Sequence, residues 1–177
     1  MRRKAVLIVA TASAAATFLS APTAIAAGSA VPGPNVNHCN YEAWYDGISN
    51  QGRTLFGVGP TQANYNGTSH DATSTFSAQI SGTVGMTINA SVSADAGIVL
   101  ARASASTGVS LSASLTASLG NSTTVTTSPG RTAYATYGVW RLQTYGTYHV
   151  NREDCSSTAT GLTAFSPWYV GWNTWSN

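Results

Sequence analysis

The sequence predicts a mainly β fold: an elongated antiparallel β-protein with a long Ser/Thr-alternating hairpin and one disulfide-tied, aromatic-rich body. Three observations carry this expectation. Polar and apolar residues alternate with a period of two through 76–119. No aromatic residue stands between Phe76 and Tyr134, whereas both flanks are rich in them. The only two cysteines, Cys39 and Cys155, lie one in each aromatic flank, near the start of the domain and in its final quarter.

The chain has 177 residues, of which 8% are charged, enough for one domain of ordinary size and too few charges for a solvated disordered tail. Arg2, Arg3 and Lys4 inflate the formal charge of +2, and without them five Arg stand against six acids. No basic surface for nucleic acid follows from that balance. The three basic residues instead open a secretory signal, 1–26. An apolar Ala-rich stretch covers 5–19, and Ala24 and Ala26 supply the small residues of a cleavage site before Ala27. The apolar stretch falls short of the roughly 20 residues a membrane-spanning helix needs. The expected location is therefore secreted and extracellular, where Cys39 and Cys155 are free to pair. Residues 27–37, with Pro32 and Pro34, read as an extended leader arm, and 38–177 as a single β-rich domain.

Within that domain, Tyr41, Trp44, Tyr45, Phe56 and Tyr65 begin the aromatic body. The excursion then starts. Phe76, Ile80, Val84, Met86, Ile88, Val92 and Ile98 all occupy even positions, with Ser, Thr, Asn, Gln and Asp between them. After Val99-Leu100 the phase inverts. Val109, Leu111, Leu115 and Leu119 occupy odd positions, and Ser or Thr fills most even ones. A helix would scatter these hydroxyls around its circumference, so the pattern means strand, with 94–105 the one stretch rich enough in Ala to admit a helix. Gly82, Gly85, Gly97 and Gly108 leave open whether 76–119 is one long hairpin or several short strands.

Beyond it come a Thr-rich run at 121–127, a turn at Pro129-Gly130, an aromatic strand across 134–150 and a polar loop at 151–155. Tyr137 and Trp140 read as core. Trp168, Tyr169, Trp172 and Trp175 in the final segment serve equally as core or as an exposed aromatic binding surface.

No catalytic constellation is present. His38, His70 and His149 are not accompanied by a nucleophile motif, and His38, Cys39 and Glu42 lack the further ligands a metal site requires. Glu42 and Asp46 could share a helical face, and Glu153 and Asp154 are adjacent, but surface acids beside a disulfide are the commoner arrangement. The expectation is a protein that is not an enzyme, with no cofactor and no metal.

The alternating excursion, the Thr-rich strand after it, Pro129-Gly130 and the aromatic strand together resemble the pore-forming module of aerolysin-type β-toxins over 70–150. The resemblance implies that 76–119 is a pre-stem loop that refolds into a transmembrane β-hairpin after ring assembly. Phe76, Ile80, Val84, Met86, Ile88, Val92, Ile98, Val99, Leu100, Val109, Leu111, Leu115 and Leu119 would then face lipid or form the tip, and the Ser/Thr face would line a hydrated lumen. Membrane lipid or a cell-surface receptor, and further copies of the chain, are the partners so implied. A different class fits the same composition: a non-enzymatic extracellular binding or adaptor protein of a secreted assembly or cell wall. Its leader arm would add to a protein partner as a strand, and its tryptophans would contact glycan.

Overall fold

The computed structural model describes residues 39–88 and 93–177; the signal segment, the leader arm, His38 and Val92 lie outside the described residues. The fold is mainly β and antiparallel, with nine strands and one helix among those residues. Its axis is a pair of strands of 20 residues each, β8 (Thr132–Asn151) and β9 (Ser157–Ser176), joined by a short turn. On the other side of β8 lie β1 (Glu42–Gly57) and, farther along, β2 (Gln62–Tyr65). Thr, Tyr, Val and Trp dominate β8 and β9, residues that suit a pleated, half-buried surface.

Two strands carry extra residues. The register of β1 against β8 shifts twice, between Asp46 and Ser49 and between Asn50 and Arg53. Gly47 (φ 60°) and Gly52 (φ 101°) stand in these bulges, in backbone conformations that side chains resist. On β9 the partner of Trp140 is Tyr169 and that of Arg141 is Pro167, which leaves Trp168 as the extra residue. Pro167 has no N–H to give a ladder, but its carbonyl accepts from the Ser112 amide at 2.8 Å.

Cys39 and Cys155 form a disulfide with Cα atoms 5.1 Å apart. Its position follows from the pairing of Glu42 with Asn151, which brings the start of β1 against the turn between β8 and β9. Cys155 sits in that turn with φ 65°, and its amide donates to the Arg152 carbonyl at 3.0 Å.

The excursion is a ribbon. After β3 (Ala72–Ser77) and β4 (Gly82–Gly85), the chain passes through β5 (Thr87–Ile88) to α1 (Ala96–Thr107) and returns as β6 (Ser114–Ala117) and β7 (Ser122–Thr127). β3 pairs with β7, β4 with β6, and β5 with β9. The sequence permits a helix at 94–105, and α1 lies there with its start displaced by two residues. Asp95 caps it by accepting from the Ile98 amide at 3.0 Å, and Gly108, at φ 71°, ends it.

Two separate cores result. Odd residues of β8 near its start, Ala133, Ala135, Tyr137 and Val139, are buried beneath the ribbon with Phe76, Ala78, Val84 and Ala117. Past the middle the buried residues are even: Leu142, Thr144, Gly146 and Tyr148. Tyr148 joins Tyr45, Leu162, Ala164 and Val99 of α1 in the second core. Because alternate residues of one strand face opposite ways, ribbon and helix cover opposite faces of the sheet.

Gly146 shows how closely the second core is packed. A Cβ there would lie 2.7 Å from the Asp46 carbonyl oxygen and 2.7 Å from the Tyr45 ring. Gly146→Ala is expected to cost about 2–3 kcal/mol, at the upper part of the range for overpacking. Urea unfolding followed by tryptophan fluorescence checks it; a midpoint unchanged from wild type would show that Tyr45 moves aside freely.

Candidate functional site

The ribbon is built on a single hairpin register. Ala72 pairs with Thr127, Ser77 with Ser122, Gly82 with Ala117 and Gly85 with Ser114. All of these pairs are centred on one point of the chain, between Val99 and Leu100. The bonds between the two short ribbons obey the same register: the Ala78 amide donates to the Asn121 carbonyl and the Met86 amide to the Ala113 carbonyl, each at 2.8 Å. The excursion is thus a single antiparallel hairpin as far as residues 86 and 113, interrupted at 79–81.

Its two faces differ. Phe76, Ala78, Val84 and Ala117 are buried on the sheet side. Thr73, Thr75, Ser77, Thr83, Ser114, Thr116, Ser122 and Thr124 are exposed on the other, where the Thr83 and Thr116 hydroxyls meet across the strands at 2.8 Å. Ile80 and Leu119 are opposite one another in the same register, and at 49% and 59% exposure they are the apolar residues left uncovered at the interruption.

Beyond Met86 and Ala113 the hairpin forks. One prong pairs Thr87 and Ile88 with Phe165 and Ala164 on the edge of β9. The other reaches the same edge through Ser112. The Leu111 amide donates to the Ser104 hydroxyl of α1 at 3.3 Å. Between the prongs α1 is held by Val99, which is fully buried, and by Ala103 one turn later. The Asp95 amide donates to the Tyr148 hydroxyl at 3.1 Å, which joins the helix cap to β8. Tyr45 closes this core from β1; burial pushes its phenol above the ordinary range, with the Thr144 hydroxyl opposing the shift.

At its other end the ribbon leaves the sheet through Asn66, a residue that the sequence reading does not single out. Asn66 is buried and uses its whole amide: Nδ2 donates to the His70 and Thr127 carbonyls, each at 2.8 Å, and Oδ1 accepts from the Thr68 amide and hydroxyl. Its backbone bonds to Gly130 and Arg131. One side chain therefore ties together the first and last residues of the excursion.

The C-terminal aromatics divide between faces. Trp172 packs under the ribbon against Tyr137, and its Nε1 donates to Asn121 Oδ1 at 2.9 Å. Trp175 stacks on Tyr134 on the opposite face, where Tyr169 stacks on Trp140 and meets Trp168 edge-on. Arg53 lies over the Trp140 ring and donates to the Tyr169 hydroxyl at 3.3 Å. Tyr169 and Trp175 thus lie on one face of the sheet in two separate aromatic pairs, Trp168 adjoins the first of them, and Trp172 lies on the opposite face.

The acids take structural places. Glu42 and Asp46 lie on strand β1, so the helical face that their spacing permits does not form. Asp46 accepts from Trp44 Nε1 at 3.0 Å and lies 3.0 Å from His149 Nε2, whose ring stacks on Trp44. Glu153 and Asp154 occupy the turn that carries Cys155, and the Ser156 side chain and amide hold the Asp154 carboxyl below its usual range.

Removing the Asn66 amide takes the donor from the buried Thr127 carbonyl and from the partly buried bond to the His70 carbonyl. Asn66→Ala is expected to cost about 2–3 kcal/mol, with faster amide exchange concentrated in β3 and β7. Denaturant titration and hydrogen exchange measure the two effects. Uniform loss of protection across β8 and β9 would instead place Asn66 in the global core.

The chain matches no family model and no curated protein.

Proposed function

We propose that this chain is a secreted, aerolysin-like pore-forming protein, whose excursion zips into a membrane hairpin after self-assembly on a lipid or receptor-bearing surface. The observation that supports it is the register. Continued past the fork, it places Ile88 opposite Leu111, Ala94 opposite Ala105, Ala96 opposite Ala103 and Ile98 opposite Ala101, with a two-residue tip at Val99-Leu100. That tip is where the alternation of the sequence inverts. A hairpin folded in this register has an apolar face and a hydroxyl face along both membrane segments, with Thr107 the one hydroxyl on the apolar side. The segments 88–98 and 101–111 supply eleven positions each, the length a tilted strand needs to cross a bilayer. Export accords with the disulfide.

Conversion requires only that α1 and β5 release. The helix is short, and Val99 is its single large side chain in full burial, worth about 2 kcal/mol. New cross-strand bonds and lipid contacts offset that loss in the assembled state.

A second reading, extracellular glycan or protein binding, is favoured by one observation: the aromatic pairs Tyr134–Trp175 and Trp140–Tyr169 lie on the sheet face that the ribbon does not cover.

Two experiments separate these. Ala105 is exposed on α1 and would face lipid midway along the second membrane strand, whereas Ser106 would face the lumen. In dye release from liposomes of varied lipid and sterol content, Ala105→Lys is expected to reduce leakage at least about tenfold and Ser106→Lys to leave it intact, since a Lys at the bilayer midplane costs about 2–4 kcal/mol. Equal leakage by both variants, or none by wild type with oligomers absent, would move the weight to the binding reading.

The second experiment tests the zipper directly. Ala96 and Ala103 are about 10 Å apart along the helix, too far for a disulfide, but directly opposed in the zipped hairpin. A chain carrying Ala96→Cys and Ala103→Cys should cross-link, by mass, only in detergent-resistant oligomers. The same yield in monomer and oligomer would refute the conversion.

A further inference from the structure

Past the end of the ribbon the odd face of β8 is uncovered, and a single charge stands on it. Arg141 lies with its guanidinium 4.8 Å from the Phe56 ring centroid and 5.1 Å from that of Phe165, a cation held between two aromatic rings. It makes no ion pair among the described residues, where His149–Asp46 is the only one. Among the described residues its one hydrogen-bond partner is the Thr87 hydroxyl at 3.5 Å, a long contact, and its buried Nε has no acceptor there. Burial pulls its pKa below the ordinary range, and among the described residues only the two rings and the long Thr87 contact offset the cost of holding a charge there.

Beside it is a groove of about 370 Å³ between β5 and the faces of β8 and β9, lined by Thr87, Ile88, Gln143, Thr163 and Phe165; Arg141 adjoins it through its contacts with Thr87 and Phe165, and Phe56 lies behind Arg141. We propose that this groove binds an organic phosphate ester, with Arg141, Thr87, Gln143 and Thr163 holding the phosphate oxygens and the ring of Phe165 flanking the ester substituent. The chemistry selects this class. A planar guanidinium fixed by rings on both sides presents its N–H edge in one direction, suited to two oxygens of one anion. The two hydroxyls and the amide add neutral donors around it, and no carboxylate lines the groove to repel an anion. The groove exceeds the volume of a bare phosphate, and its aromatic flank accommodates an apolar or cationic substituent. A soluble phosphate ester and a phospholipid headgroup share this chemistry. The site does not rest on the pore reading.

The test titrates the oxidised chain with inorganic phosphate and with phenyl phosphate, following backbone amides by NMR, and measures co-sedimentation with vesicles of phosphatidylcholine or phosphatidylglycerol. Saturable shifts at Thr87 and Gln143 are expected, tighter for phenyl phosphate. Arg141→Gln should weaken binding at least about tenfold, in line with loss of charged hydrogen bonds, and Arg141→Lys less. If Arg141→Gln does not fold, Thr87→Val with Gln143→Leu carries the same test from the rim. Arg141-dependent vesicle binding that phenyl phosphate displaces assigns a lipid headgroup; shifts without vesicle binding assign a soluble ester. Absence of saturable binding by every probe, or binding undiminished in these variants, overturns the proposal.

Discussion

The alternation of side chains along β8 is the constraint from which the rest of the arrangement follows. This strand pairs with β1, β2 and β9, and it buries odd residues in its first half and even residues in its second. A single layer cannot cover both sets, because they face opposite ways. The chain therefore has to cross the edge of the sheet between the ribbon, which covers one set, and α1, which covers the other. β5 is that crossing. Of its two residues, Thr87 contacts Arg141 on the odd face and Ile88 packs into the core of the even face. The fork of the hairpin at residues 86 and 113 is the same crossing seen from the ribbon: two arms that remain in register elsewhere are parted by the edge of β9.

Much of this is legible in the sequence, and what is not has physical reasons. Period-two alternation marks the strands because apolar burial repeats with the pleat, and its inversion at Val99-Leu100 marks the centre of the hairpin register. The disulfide follows from having two cysteines. The choice between one hairpin and several strands is not legible, because glycines such as Gly82 and Gly85 interrupt a strand or continue it depending on what packs behind them. Trp172 and Trp175, three residues apart, fall on opposite faces by parity alone, but the extra residue at Trp168 breaks the parity link to the earlier part of β9 that would tell which of them faces the ribbon. Asn66 is missed because its value lies in two carbonyls, at His70 and Thr127, that sequence places far apart. Arg141 escapes for a related reason: the rings that flank it come from β1 and β9.

The segment 96–107 satisfies two periodicities at once. As α1 it buries Val99 and Ala103, four residues apart, and exposes the rest of its circumference to solvent or partial contact. As strand it would turn at Val99-Leu100 and place Ala96, Ile98, Ala101, Ala103 and Ala105 on one face and Arg102, Ser104 and Ser106 on the other, with Thr107 out of phase. Alanine makes this possible. It has the highest helix propensity, yet its methyl is small enough to leave the strand alternation intact. Asp95 and Gly108 cap the helix, and neither is required by the strand pattern. These caps, with the Tyr148 hydroxyl and the Val99 contact, bias the segment toward helix by a few local interactions rather than by an extensive core.

The distribution of charge gives the alternation a direction. Between residues 72 and 127 only Asp95 and Arg102 are charged. An exposed two-stranded ribbon in a soluble protein ordinarily carries charges, Lys above all, to prevent edge-to-edge association. Here solvation is left to Ser and Thr, which hydrogen-bond water without the desolvation penalty of a full charge. Asp95 is odd and precedes the tip; Arg102 is even and follows it. In the continued register both fall on the hydroxyl face, two residues out of direct opposition, and the apolar face carries no charge along its length. Solubility alone does not require one face to be cleared of charge over a segment that spends part of its length as helix, whereas the membrane hairpin proposed above does.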